Sequence, residues 1–143
     1  MPRRRTATAA QANMATPWLA GRSDEPTSST LPTLLVRRHL RSGQRVHYQG
    51  NVVVLGDVNP GAEIVATGDI VVMGVLRGLA HAGAAGDSAR VVAAFRLEAT
   101  QLRIASYITR APEGDRPPDV PEVAQVRDGQ VVLDNLTQLY EDR

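Results

Sequence analysis

The sequence predicts an all-β protein: a short β-helix with a C-terminal capping hairpin and a disordered N-terminal arm. Glycine occupies positions 50, 56, 68, 74 and 86, all separated by multiples of six, and alanine fills the two missing places, 62 and 80. The segment 51–56 (NVVVLG) recurs 18 residues later as 69–74 (DIVVMG). Aromatic residues make up 3% of the chain, so Val, Ile, Leu and Ala must build the core, which suits thin, regular β stacking.

The N-terminal arm is predicted to span residues 1–33, which are rich in Ala, Thr, Ser, Pro and Arg. Its segment 22–30 (RSDEPTSST) has too little apolar surface to offset the entropy of folding. The first residues are Arg-rich without an acid, and they fit a bacterial leader better than an organelle transit peptide, because they lack an amphipathic apolar face. The folded domain is therefore predicted to cover residues 34–143, with a core at 41–110 and a cap at 120–136.

The β-helix core follows from the six-residue period. Each unit supplies a short strand and a corner, where a small residue lets the chain turn without a steric clash. Three units make one three-faced coil of about 18 residues, and coils stack at about 4.8 Å, the spacing of hydrogen-bonded strands. Val53 is thus predicted to stack on Val71 and Val54 on Val72. The same register predicts that Asp87 continues the 18-residue series and that segment 79–86 (LAHAGAAG) is tightly stacked coil.

The apolar strands predict a homodimer. The valine triplet at 52–54 is apolar on both sides of its strand, so both sides are expected to be covered. A second copy of the chain is the simplest cover for the outer side. The predicted dimer face consists of Val52, Val53, Val54, Ile70, Val71 and Val72.

The ends of the predicted solenoid need caps, because only about three to four coils fit between residues 46 and 104. Residues 102–108 can end the stack. After a Pro- and acid-rich loop at 112–121, the segments 122–126 and 130–133 flank Asp128-Gly129, a strong signal for a two-residue hairpin. The hairpin is expected to fold over an end or a side of the β-helix.

The composition argues against several kinds of site. With 16 basic and 15 acidic residues the charge is nearly balanced, so no strong nucleic-acid or membrane field is implied. Cysteine is absent, and no apolar run approaches the roughly 20 residues of a membrane span. Asp57, Asp69 and Asp87 each follow a glycine, and they are expected to accept hydrogen bonds from turn amides, since a calcium site needs denser ligands. No metal or cofactor is predicted.

A family likeness runs through residues 41–110. Its motifs are RSGQ at 41–44, GDVNPGAE at 56–63, GDI at 68–70, RG at 77–78 and AHAGA at 80–84. In this order and spacing they resemble the C-terminal domain of the septum site-determining protein MinC. The resemblance implies a right-handed β-helix, a hand that the periodicity does not supply, and a homodimer formed through an apolar face.

The same resemblance implies a function. MinC proteins are bacterial cell-division inhibitors of the cytoplasm: the ATP-bound, membrane-associated ATPase MinD recruits them to the inner face of the membrane, where they antagonise FtsZ ring assembly. The RSGQ motif is the MinD-binding signature of the family, so the resemblance assigns MinD binding to Arg41, Ser42, Gly43 and Gln44. Arg77 projects from a corner between small residues, and it is either a solvated charge or a further part of this partner surface. The resemblance implies no catalysis, no nucleic-acid partner, and contact with the membrane only through MinD.

Two departures from the family pattern concern FtsZ. MinC usually carries a separate N-terminal domain that attacks FtsZ filaments, and here only the arm occupies that place, so either the gene model is short or this version lacks the module. The Arg-Gly-Arg corner linked to binding the FtsZ tail reads Arg77-Gly78-Leu79 here, without the second arginine. The expectation of FtsZ antagonism therefore comes from the family as a whole and not from these residues.

The residues alone also allow other interpretations. The segment 41–44 could be a plain turn, since Ser-Gly is common there, although its arginine could donate a bidentate pair to a carboxylate of a partner. His81 could be the general base of a hexapeptide-repeat acyltransferase, whose coils share the six-residue period, but no second catalytic group is evident. A structural β-helix that polymerises end to end is the third class, and the predicted cap opposes such stacking.

Overall fold

The computed structural model describes residues 31–110 and 119–137, together with Arg5. Within these residues the chain forms eleven β-strands, and the strand bounds are β1 (Thr33–Val36), β2 (Arg45–Tyr48), β3 (Asn51–Val54), β4 (Glu63–Ala66), β5 (Ile70–Leu76), β6 (Leu79–Ala82), β7 (Val92–Leu97), β8 (Gln101–Ile104), β9 (Tyr107–Thr109), β10 (Glu122–Arg127) and β11 (Gln130–Asn135). No helix in this part of the chain has the length and hydropathy needed to cross a membrane.

Two sheets form two of the three faces of a β-solenoid. The first sheet has the strand order β1-β3-β5-β7-β10-β11, and the second has the order β2-β4-β6-β8-β9. Strands β1 to β8 pair in parallel with the strand of the next coil. The third face is joined by isolated parallel bridges from Leu40 to Val58 and from Val58 to Leu76. The predicted all-β solenoid of stacked three-faced coils is confirmed.

The 18-residue repeat sets the register of the first coils. Val53 pairs with Val71 and Val54 with Val72, as predicted. Strands β3 and β4 alternate between half-exposed and buried positions, because successive side chains of a strand point to opposite faces. The interior is built from aliphatic side chains and alanine, among them Leu40, Val52, Val58, Ile64, Ile70, Leu76, Leu102 and Ile104.

The alternation corrects the predicted dimer face. Val52, Val54, Ile70 and Val72 are at most 1% exposed, because their side chains point into the solenoid. Val53 and Val71 lie on the opposite side of the sheet and are half-exposed. Only these two of the six predicted residues can therefore contribute to an outer surface.

The third coil departs from the 18-residue period. Ile70 pairs with Val92, which is 22 residues further, so Asp87 does not stack on Asp69 as the sequence predicted. Strand β6 stacks on β4, but Glu63 pairs with Leu79, 16 residues further, so Ala80 lies inside a strand opposite Ile64 and is not a corner equivalent to Ala62. Residues 83–91 then form a longer loop outside the regular coil. The small residues that follow β6, among them Gly86, match the six-residue spacing of the corners in the sequence, but they lie in this loop and form no corner of a regular coil.

The predicted hairpin forms and extends the first sheet. Strands β10 and β11 pair antiparallel, and β10 also pairs antiparallel with β7. Asp128 and Gly129 have φ values of 52° and 77°, as a type I′ turn requires at both central residues. Ala124 becomes fully buried, so the hairpin closes one side of the core. Strand β9 ends the second sheet in the same way, by antiparallel pairing with β8.

The predicted arm lies outside the described residues, apart from Arg5 and residues 31–33. Strand β1 begins at Thr33, one residue before the predicted start of the folded domain. Most of the predicted loop at 112–121 also lies outside the described residues.

Candidate partner-binding site

The candidate site is the 41–44 loop (Arg41, Ser42, Gly43 and Gln44), which connects Leu40 to β2. The Gln44 N–H donates to the Arg41 carbonyl oxygen at 2.9 Å and closes a four-residue turn. Gly43 has φ of 87°, which a type II turn requires at its third residue. The Arg41 N–H in turn donates to Gln44 Oε1 at 2.8 Å. The backbone is therefore a well-formed turn, as the plain interpretation of this segment expects.

A second turn in the next coil supports the loop from below. Residues 59–62 (NPGA) form it, and Gly61 also has φ of 87°. The Gly43 N–H donates to the Gly61 carbonyl oxygen at 2.9 Å, so the two turns are joined directly. A Cβ on Gly61 would collide with Ser42 Oγ. Gly61 therefore provides the space in which Ser42 is seated.

The side chains of the loop present mainly donors. Arg41, Ser42 and Gly43 are exposed, and Gln44 is half-exposed. Among the described residues Arg41 makes no ion pair, so its guanidinium is available for a planar, bidentate contact with a carboxylate. Gln44 uses its Oε1 within the turn, which leaves its amide N–H groups for a partner. This surface suits a partner that offers carboxylate or carbonyl oxygens.

Arg77 lies on the same face as Arg41, two coils further along the solenoid. The Asn59 N–H donates to the Leu40 carbonyl oxygen at 2.9 Å, and the Arg77 N–H donates to the Val58 carbonyl oxygen at 2.7 Å. Arg41, Asn59 and Arg77 therefore occupy equivalent positions in three successive coils, and two coil spacings separate the arginines by roughly 10 Å. Arg77 is exposed, so the structure brings the predicted contact residues onto one face.

The corner aspartates accept hydrogen bonds from backbone amides, as predicted. Asp57 Oδ1 accepts from the Val75 N–H at 2.8 Å, and Asp69 Oδ1 accepts from the Val91 N–H at 2.9 Å. Each amide belongs to the next coil, so these carboxylates join neighbouring coils. A partly buried N–H without an acceptor is costly, so these bonds stabilise the stacking of neighbouring coils at the corners.

Asn51 and His39 also accept backbone N–H groups of the next coil, and the sequence prediction missed both. Each lies 18 residues before a corner aspartate, in the same column of stacked positions. Asn51 Oδ1 accepts from the Asp69 N–H at 2.8 Å, and Asn51 Nδ2 donates to Thr33 Oγ1 at 3.2 Å. His39 Nδ1 accepts from the Asp57 N–H at 2.8 Å. The 18-residue spacing of 33, 51 and 69, and of 39 and 57, is the signal that could have identified both columns.

The histidines have structural partners. His81 Nε2 lies 2.9 Å from the Ala105 carbonyl oxygen, so it must be the protonated, donating nitrogen. His47 Nε2 lies 2.6 Å from Glu63 Oε2 in the next coil. The described residues contain no cluster of three or more His, Cys, Asp or Glu that could hold a metal. His81 therefore has a hydrogen bond that joins two parts of the fold, and no acidic side chain among residues 31–110 and 119–137 is hydrogen-bonded to it.

The loop at 83–91 contains a charged network that the sequence did not predict. Arg90 Nε donates to Asp87 Oδ2 at 2.8 Å, and Arg90 Nη1 lies 3.5 Å from Asp69 Oδ2. The Ala89 N–H donates to Asp87 Oδ1. This bond, and to a smaller extent the hydrogen bond from Arg90, lowers the pKa of the Asp87 carboxyl. Asp87 thus accepts a turn amide as predicted, but within its own loop.

An apolar surface lies on the outer side of the first sheet. We define this outer apolar surface by the half-exposed Val53 and Val71 and by four exposed side chains: Leu35 (44% exposed), Leu55 (47%), Met73 (44%) and Phe95 (48%). Leu35 pairs with Val53, and Val53 with Val71, so the column follows the coil stack. The 18-residue period could have identified Leu35, whereas the longer third coil hides Phe95.

Comparison with known proteins gives one family. The family described as "Septum formation inhibitor MinC, C-terminal domain" matches residues 34–136. A probable septum site-determining protein MinC of Heliobacterium modesticaldum is 61% identical over 103 residues, which are 71% of this chain and 36% of the relative. The corresponding protein of Symbiobacterium thermophilum is 52% identical over 115 residues, which are 80% of this chain and 50% of the relative. The chain thus spans half or less of the length of these curated relatives.

A solved structure has the same fold. It is a chain of the "MinC:MinD cell division protein complex, Aquifex aeolicus", which superimposes with a TM-score of 0.69 at 38% sequence identity. The superposition covers 78% of this chain and 98% of that chain.

Proposed function

Since the chain belongs to the MinC C-terminal domain family, we propose that it is a cell-division adaptor that binds ATP-bound MinD through the 41–44 loop. The observation that carries the proposal is the exposed, donor-rich turn itself, which is held in one conformation by a second turn beneath it. A loop that is already ordered loses little conformational entropy on binding. The adaptor works by binding, without catalysis or cofactor.

The chemistry of the contact follows from the loop. The Arg41 guanidinium pairs with a carboxylate of MinD, Ser42 and Gln44 add neutral hydrogen bonds, and Gly43 lets the two backbones approach closely. Arg77, roughly 10 Å away on the same face, extends the contact across two coils. The relative in the Aquifex aeolicus complex, which is named for both proteins, supports MinD as the partner.

The outer apolar surface is the proposed dimer interface. Six apolar side chains form one continuous strip across three coils and β7, and the four largest exposures in it range from 44% to 48%. A contiguous apolar area of this kind is uncommon on a monomer. The interface lies on the first sheet, whereas the 41–44 loop lies at the corner between the third face and the second sheet. The loop is therefore outside the interface, and a dimer presents two MinD-binding loops.

Recruitment by MinD places the adaptor at the inner face of the bacterial membrane. There the complex antagonises FtsZ ring assembly and prevents septa at the wrong place. This last step rests on the family, because the described residues contain one arginine of the FtsZ-linked corner, Arg77, followed by Gly78 and Leu79.

Binding to MinD can be tested with purified proteins. MinD loaded with ATP should retain the chain on an affinity resin, and MinD loaded with ADP should not. Arg41→Ala should weaken retention roughly ten- to hundredfold, because a hydrogen-bonded charge contributes about 1.5–3 kcal/mol. Arg110→Ala is the matched control, since it removes an exposed arginine near β9. Full retention of the Arg41 variant would reject the assignment of the site.

Division inhibition needs a test in cells. Overexpression of this chain in a bacterium with its own MinD should give filamentous cells if the chain antagonises FtsZ. Cells of normal length, together with successful MinD retention, would restrict the function to MinD binding.

A further inference from the structure

The near-zero net charge of the chain conceals a strong asymmetry along the solenoid. The first coil, residues 33–50, contains Arg37, Arg38, Arg41 and Arg45 and no acidic residue. The range 119–137 at the other end contains four acids, Asp119, Glu122, Asp128 and Asp134, and one arginine, Arg127. Strands β1 and β11 are the two edges of the first sheet, so five strand spacings, about 24 Å, separate the two ends.

Two of the four arginines in the first coil have no acidic partner in the next coil and no place in the 41–44 loop. Arg45 lies 3.9 Å from Glu63, and Asp57 lies 3.8 Å from His39, so these acids already have partners. Arg37 and Arg38 are exposed and form no ion pair among the described residues, and Arg41 belongs to the 41–44 loop. We refer to Arg37 and Arg38 as the first-coil arginines.

We propose that the first-coil arginines contact anionic phospholipid headgroups, so that the first coil of the solenoid touches the membrane directly. The inference rests on the proposed function, because MinD would hold the chain near the lipid surface, where a weak contact gains from a high effective concentration. Arginine suits this role because its planar fork donates bidentately to phosphate oxygens. The acidic hairpin, about 24 Å away, favours an orientation in which the first coil faces the negative surface.

Lipid is favoured over nucleic acid by the composition of this end. Single-stranded nucleic acid binds to basic grooves in which aromatic side chains stack on the bases. The first coil contains one aromatic residue, Tyr48, and it packs against the core. A flat headgroup layer needs only exposed positive charge, and each arginine near an anionic surface raises the affinity about fivefold.

The test uses the full chain and vesicles without MinD. Sedimentation with phosphatidylglycerol vesicles should retain the chain at about 0.01 M ionic strength and release it at about 1 M, where charges are screened within about 3 Å. Vesicles of phosphatidylcholine alone should not retain it. Arg37→Gln/Arg38→Gln should lower the retained fraction roughly ten- to thirtyfold. Arg110→Gln/Arg127→Gln removes the same charge elsewhere and should leave retention nearly unchanged.

In experiments without MinD, three results would overturn the inference. One is the absence of retention on phosphatidylglycerol vesicles at low salt. Another is an equal loss in the two double variants, and the third is binding of short single-stranded DNA without binding of vesicles.

Arg37→Gln/Arg38→Gln should also bind MinD–ATP normally when no vesicles are present. Loss of MinD binding with vesicle retention intact would assign these arginines to the MinD contact instead. Failure of wild-type MinD binding would reject the proposed function alone, since the vesicle assay does not require MinD.

Discussion

Gly43 and Gly61 occupy the same place in two stacked turns, but their surroundings differ. Both have φ of 87°, which costs a residue with a Cβ about 1–2 kcal/mol. A Cβ on Gly43 would meet no atom within 4 Å, whereas a Cβ on Gly61 would collide with Ser42. Ser42 of the candidate loop therefore packs directly against Gly61 of the turn beneath it.

The two glycines give a matched prediction. Gly43→Ala should lower the free energy of unfolding by about 1–2 kcal/mol, because only the backbone conformation is penalised. Gly61→Ala should cost more, since Ser42 must also move. Urea denaturation measures both changes. A larger loss for Gly43→Ala than for Gly61→Ala would contradict the observed packing of the two turns.

Glu122 is the residue whose titration should affect stability. Partial burial at the start of β10 raises the pKa of its carboxyl above the ordinary value of 4.5. A raised folded-state pKa means that the folded protein binds the proton more tightly than the unfolded chain does. The associated stability is therefore fully present below pH 4.5 and is lost as the pH rises through the folded-state pKa.

Glu122→Gln should therefore stabilise the protein at pH 7 and flatten the pH dependence of stability above about pH 4.5. Denaturation curves between pH 4 and pH 8 measure this effect. Glu98→Gln removes an acid that pairs with Arg96 at 3.5 Å, so it controls for net charge and should not stabilise. A destabilising effect of Glu122→Gln at pH 7 would contradict the assigned burial cost.

At the scale of elements, the side chains at the corners decide how the coils stack. Asn51 is the clearest case, because its amide oxygen accepts from the Asp69 N–H and its amide nitrogen donates to Thr33. It thus connects three successive coils through positions that are 18 residues apart. The aspartate in the next coil, Asp69, accepts in the same way from Val91.

Asn51→Ala should destabilise the protein by about 1–3 kcal/mol, because it leaves the partly buried Asp69 N–H without an acceptor. Asn51→Asp should cost less, since a carboxylate oxygen can still accept from that N–H. Thermal unfolding of both variants provides the comparison. Equal losses for the alanine and aspartate variants would show that the bond to Asp69 does not determine stability.

The sequence predicted the repeating strands and the hairpin, and it missed the irregular loop at 83–91. The equal spacing of the valine strands predicted the pairing of Val53 with Val71, and Asp128-Gly129 predicted the hairpin. The 83–91 loop was missed, because small residues can fit a six-residue corner or an irregular loop equally well. Its hydrogen bonds between Arg90, Asp87 and Asp69 depend on tertiary contacts that spacing does not encode.

At the scale of the whole molecule, the sequence predicted that a surface would be apolar but not which side chains form it. An apolar triplet on a strand supplies residues to both sides, so four of the six predicted residues are in the core. The 41–44 loop could be predicted as a partner site only through the family resemblance, since the same four residues also form an ordinary turn.

Met73 lies in the outer apolar surface and provides a test of the dimer. Met73→Glu should convert a dimer into a monomer, because it buries a charge in the proposed interface. Ile108→Glu is the matched control, as Ile108 is 56% exposed but lies on the second sheet. Light scattering measures both masses. A dimer that survives Met73→Glu would exclude this surface as the interface, and long filaments of the unchanged chain would favour a structural scaffold.

The central claim is that MinD contacts the 41–44 loop. Hydrogen exchange of the chain, measured with and without ATP-bound MinD, tests it most directly, because it locates protection along the backbone. The predicted result is new protection of residues 41–44 and of the supporting turn at 59–62, with no change in the hairpin β10–β11. Protection confined to the hairpin or to the second sheet, with the 41–44 loop exchanging as fast as in the free chain, would contradict the claim.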